Sequence, residues 1–174
     1  MATVYMLIRM LICLVFLIAI NITDHKRYKI KNRDILITLL AGLVLGAISH
    51  TFGGSICGML LPLVLFPLFA VKMLGAGDVK ALCAIGAVVG FKMSAMTLIL
   101  SFISGGIIAL GFMLINKNFI ARIKYLIQYL KKCFIMRKLE KYNFGGDGKS
   151  HFRFSYAITA GTVLAFVNYY FGFI

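Results

Sequence analysis

The 174-residue sequence has no tryptophan, only five acidic residues and no Cys-x-x-Cys pair among its four cysteines. Charged residues amount to 14%, against about a quarter in an ordinary soluble domain. Hydrophobic residues make up 61%, and mean hydropathy is +0.97. So little charge excludes a soluble enzyme and a disordered chain alike. Without paired cysteines a zinc site is not indicated, and Cys13, Cys57 and Cys83 lie in apolar runs where cysteine acts as a small hydrophobe. With tryptophan absent, any aromatic belt at the membrane surface falls to the eight tyrosines. No internal repeat is evident. What remains is an integral membrane protein, all-α and built from transmembrane helices.

Charge-free runs count the spans. Residues 35–71 contain no Asp, Glu, Lys or Arg, room for two helices of about 20 residues. His50-Thr51-Phe52-Gly53-Gly54 breaks that run. Residues 93–116 and 154–174 are also uncharged, residues 4–22 carry only Arg9, and a shorter run at 79–91 is opened by Asp78 and Lys80 and closed by Lys92. The expectation is a single membrane-embedded domain over 1–174, with spans near 4–22, 35–52, 56–74, 79–91, 94–115 and 154–173. Cytoplasmic loops then fall at 23–34 and 116–152. The first span is not expected to be a removable signal peptide: no basic start precedes it, and Ile18-Ala19-Ile20-Asn21 is not a small-residue cleavage site.

Nineteen Lys and Arg against five acids give a formal net charge of +14. The positive charge is concentrated at 23–34 (Lys26, Arg27, Lys29, Lys31, Arg33) and at 116–152, while the opposite connections near 50–55 and 92 carry a single Lys. Positive residues mark the cytoplasmic side, which predicts a multi-pass protein of the cytoplasmic membrane with both termini outside. Membrane topology already accounts for the basic loops, so nucleic acid is not expected as a partner. In the second loop Phe119, Ile123, Leu126, Ile127, Leu130, Cys133 and Phe134 recur at three- and four-residue steps. That spacing predicts an amphipathic helix over 118–136 lying on the anionic headgroups of the inner leaflet; a basic tether that only sets orientation is the simpler alternative.

The acids are informative because they are few: Asp24, Asp34, Asp78, Glu140 and Asp147. Asp78 sits in Gly75-Ala76-Gly77-Asp78-Val79-Lys80, where two glycines interrupt the helical pattern at the membrane boundary. A carboxylate so placed is costly and therefore a functional candidate, although a capping aspartate would occupy the same position. Asp24 closes the first span on the same membrane face. Two carboxylates brought together do not both ionise easily. The ionised one can take a proton from water while the protonated one polarises a carbonyl, with no metal or cofactor. Asp34 is expected to start or cap the second span, Asp147 to lie in a glycine-rich turn, and Glu140 to be solvated or ion-paired.

Gly75-Ala76-Gly77-Asp78-Val79-Lys80 resembles the GxGDxK motif of the type IV prepilin peptidases, a branch of the GxGD membrane aspartyl proteases. After Asp24 the stretch His25-Lys26-Arg27-Tyr28-Lys29-Ile30-Lys31-Asn32 is similar to the basic stretch and Ile-Pro-Asn that follow the family's first aspartate, with Lys31 in the place of the proline. The resemblance extends over the six-span layout to Ser155-Tyr156-Ala157-Ile158 and Gly161. It implies Asp24 and Asp78 as catalytic residues, with Gly75, Gly77 and Lys80 as supporting motif. Lacking a cytosolic insertion with paired cysteines, the chain is similar to the short form that accompanies Flp/Tad-type pili or related competence pseudopili, and archaeal preflagellin peptidases share the same motif. The implied activity is an endopeptidase that removes the basic leader of prepilins or pseudopilins at the cytoplasmic face of the membrane. The alternatives are a small ion or proton conductor, disfavoured by spans with few polar residues, and a non-catalytic pilus assembly factor.

Overall fold

In hydrocarbon a segment must satisfy its own backbone hydrogen bonds, which leaves helix as the structure for long uncharged runs. The computed structural model describes residues 2–27, 30–70, 74–115, 128 and 154–172, and every regular element among them is helical. These elements are α1 (Ala2–Arg27), α2 (Asn32–Ile48), α3 (Phe52–Leu60), a 3₁₀ segment (Leu61–Leu65), α4 (Phe66–Ala70), α5 (Ala76–Val89), α6 (Phe91–Ile115) and α7 (Phe154–Tyr170). Pro62, at the start of the 3₁₀ segment, lacks an amide donor, and the helix tightens there without ending.

Three stretches are long and apolar enough to cross a membrane: Val4–His25, Phe52–Ala70 and Phe91–Gly111. The other three segments expected to span are helical but shorter. α2 and α7 have 17 residues each and α5 has 14, or roughly 21–26 Å of helix against a core of about 30 Å. Large apolar side chains face outward all round the molecule, among them Leu11, Val15, Val64 and Ile107, as lipid-facing helices require. The molecule is an integral membrane protein.

Two boundaries differ from the sequence expectation. α1 runs to Arg27, so Asp24 lies within a helix and not in a loop beginning at 23. Charged residues end an apolar run, but they do not end a helix when no Gly or Pro follows. Likewise Gly53 and Gly54 belong to α3. The turn is made by Ser49, His50 and Thr51, with His50 at φ 54°. The amphipathic helix expected at 118–136 lies outside the described residues, as do Cys133, Glu140 and Asp147.

α5 is the centre of the bundle. Ala81, Ala84, Ile85, Ala87 and Val88 are fully buried, and α2, α3, α6 and α1 pack around it. Small residues allow the close approach. A Cβ on Gly42 of α2 would lie 2.7 Å from the Ala87 and Val88 backbone, and one on Gly86 of α5 would collide with the Gly58 carbonyl of α3. Gly90, at φ 83°, breaks the chain between α5 and α6 in a conformation that side chains disfavour. At the end near the α2–α3 turn, Arg9 of α1 donates from Nη2 to Ser49 Oγ (3.0 Å) and Thr51 Oγ1 (2.7 Å). The opposite end carries Asp24, Asp78 and Ser155.

Candidate active site

Asp78 occupies the first turn of α5, one residue ahead of the expected span. Gly75 is the N-cap, in extended conformation, and its carbonyl accepts the Asp78 amide at 3.1 Å. The carboxylate folds back over this residue: a Cβ on Gly75 would lie 2.8 Å from Asp78 Oδ2. An added methyl group at 75 would thus displace the Asp78 carboxylate from the position it takes here. Gly77 faces Ile30 of the α1–α2 connection, where an added Cβ would stand at 3.5 Å, an ordinary contact.

Asp24 lies in the last turns of α1, half-buried. Ser155, buried in the first turn of α7, donates its hydroxyl to Asp24 Oδ2 at 2.6 Å. One turn deeper, Asn21 Nδ2 donates to Thr159 Oγ1 at 2.7 Å. These two bonds tie the end of α1 to the start of α7. Beside them Tyr156 Oη lies 3.4 Å from His25 Nδ1.

The structure brings Asp24 and Asp78 within electrostatic reach of each other. Burial pushes the Asp78 carboxyl up from 3.8 to about 6, the negative charge of Asp24 adds to the rise, and a hydrogen bond with the Gly75 backbone draws it partly back. Lys80 is not on the acids. Its exposed ammonium reaches Asn32 Oδ1 at 3.4 Å and so links the starts of α5 and α2. Asp34 sits in the first turn of α2, while the N-cap is Lys31. Among the described residues no three His, Cys, Asp or Glu side chains are grouped as a metal would need.

Ser155 and Asn32 lie in stretches that carry the family resemblance, but sequence reasoning assigns neither a role at the site. Ser155 lies 131 positions from the acid it holds, and a serine in an apolar span gives no local sign of such a partner.

No curated protein and no solved structure matches the chain. The sequence model of the type IV leader peptidase family matches residues 11–110, a stretch that includes Asp24, the Gly75–Lys80 motif and α5, the packing centre of the bundle. The match covers more than half of the sequence, and the chain belongs to the type IV leader peptidase family, that of the prepilin peptidases.

Proposed function

We propose that the protein is an aspartyl endopeptidase that removes the basic leader from prepilins or pseudopilins at the cytoplasmic face of the cell's inner membrane, with Asp24 and Asp78 as its acid–base pair. The observation that carries this reading is the pairing itself. Two of the five acids in the sequence, contributed by different helices, come close enough for one to raise the other.

The pair acts with one proton, and burial makes Asp78 the member that holds it more readily. Asp24 then acts as general base and takes a proton from water. Asp78 donates a hydrogen bond to the scissile carbonyl and stabilises the charge that develops on its oxygen. The water oxygen bonds to the carbonyl carbon, and the C–N bond breaks as the departing amine takes up a proton from the pair. Ser155 fixes one carboxylate oxygen of Asp24, so the base keeps its orientation through the cycle. Gly75 leaves room for the Asp78 carboxylate in the position it takes. Lys80 and Asn32 hold the two motif-bearing helix starts together. The family points to a prepilin-type substrate: a cationic leader, a cut after glycine and an apolar helix. The short Flp/Tad-like form and anionic lipid at the basic loops belong to the same reading. Purified enzyme in phospholipid vesicles is expected to convert such a prepilin to the mature form, with the new N-terminus directly after the glycine. A prepilin that stays whole under these conditions contradicts the proposal.

A further inference from the structure

The contact between α1 and α7 changes character along its length. At the cytoplasmic end it is polar, closed by Asp24–Ser155 and Asn21–Thr159. Further along, the two helices part around an almost wholly apolar groove of about 650 Å³. On α1 the residues Met10, Leu14, Leu17, Asn21 and Asp24 follow at three- and four-residue steps and so share one face. On α7 the residues Ser155, Thr159, Val163, Phe166 and Tyr170 do the same. The groove side chains and the Asp24 cluster therefore form one continuous track.

Within that track one acceptor has no partner. Thr159 Oγ1 donates its single proton to the Ser155 carbonyl at 2.9 Å, so toward Asn21 it can only accept. This fixes the Asn21 amide with Nδ2 on Thr159 and leaves Oδ1 buried without a donor. An unpaired carbonyl oxygen in a water-poor setting is costly. A membrane protease supplies a donor for it, because a helical substrate must unwind beside the cut bond and free its own N–H groups.

We propose that the α1–α7 seam is the lateral entrance for the substrate's apolar helix, and that Asn21 Oδ1 accepts a backbone N–H from the unwound stretch just after the cut bond. The inference rests on the prepilin reading above. Charge complementarity selects this occupant: acid pair, then apolar groove along the seam; cationic leader, then apolar helix along the substrate. Three residues of helix separate Asn21 from Asp24, about 4.5 Å along the axis. That is little more than one extended residue of about 3.3 Å. The N–H in question thus belongs to the second residue after the cut, since the first residue's N–H is that of the cut bond itself. Because Oδ1 is covered in the resting enzyme, α1 and α7 part at the Asn21–Thr159 bridge as the substrate enters, while Ser155 stays on Asp24.

The test uses the full-length enzyme in vesicles with a prepilin that has a Lys/Arg-rich leader, a glycine and an apolar helix of about 20 residues. A photo-crosslinking phenylalanine analogue replaces Leu14 or Val163 in the groove, or Val15 of α1 or Ile37 of α2 in the separate cleft between those two helices, each in an Asp78→Asn background. Crosslinks to prepilin are expected from 14 and 163 and not from 15 and 37. Crosslinks confined to 15 and 37, or to lipid alone, overturn the inference. In parallel, synthetic prepilin peptides carry an ester in place of the amide N–H of the second or, as a control, the third residue after the cut, so that the cut bond itself stays an amide. The ester at the second residue is expected to slow wild-type cleavage about tenfold, the worth of a hydrogen bond, while Asn21→Leu is slow on the amide and no slower on that ester. Equal slowing of both enzymes overturns the assignment of Asn21. If wild-type enzyme cleaves the prepilin but the crosslinks are absent from 14 and 163, the seam alone falls. If it does not cleave, the peptidase reading falls and the seam with it.

Discussion

Asp24 has a single side-chain donor among the described residues, the Ser155 hydroxyl at 2.6 Å. Ser155→Ala leaves the acid in place but frees it to rotate, and cleavage is expected to fall about tenfold with the protein still folded; an initial-rate assay checks this. The two motif glycines are not equivalent. Gly75→Ala drives a methyl group against Asp78 Oδ2, whereas Gly77→Ala meets Ile30 at ordinary contact distance. The first is expected to lose most of its activity and the second to retain more of it in the same assay. Asp78 also makes stability depend on pH. Its folded pKa of about 6 lies above 3.8, so folding favours the protonated form. That contribution is complete below about pH 4 and is lost as pH rises through 6. Asp78→Asn removes the cost of ionisation, so it is expected to unfold at a higher temperature than wild type in detergent at pH 7, by at most about 3 kcal/mol. The difference should close near pH 4.

At the scale of elements, the site depends on helices that approach closely enough for backbone to touch backbone. Gly86 of α5 packs on the Gly58 carbonyl, while Gly106 on α6 has nothing within 4 Å of where a Cβ would stand. Gly86→Ala is expected to destabilise the fold by about 1–3 kcal/mol, as overpacking does, and Gly106→Ala to be close to neutral. Thermal unfolding in detergent compares the two. Much of this architecture was legible in the sequence. Uncharged runs located the helices, and the few acids stood out at the ends of α1 and α5. The end of α1 was not legible, because a change from apolar to basic residues looks like a loop while the backbone continues as helix to Arg27. Nor was the role of Gly53 and Gly54, which read as a break but lie inside α3 with open space around them. Ser155 and Asn21 were hidden for another reason. Their partners sit on distant segments, and in a chain with several buried hydroxyls local pattern does not say which one meets an acid.

Over the whole molecule, polarity is divided between two ends. Arg9, Ser49 and Thr51 bind one another at one end, and the carboxylate pair lies at the other, where sequence charge places the basic loops. The apolar bundle between them holds α1, α5 and α7 so that Asp24, Asp78 and Ser155 lie at one end. The most direct measurement of the central claim is cleavage of a co-expressed prepilin, followed by gel shift, with membrane content of each enzyme variant checked on the same samples. Asp24→Asn and Asp78→Asn keep size and hydrogen bonding but remove the acid. Each alone is expected to reach the membrane normally and to lower processing at least about a hundredfold, the lower end of what general acid–base catalysis contributes. Full processing by either variant would contradict the two-aspartate mechanism.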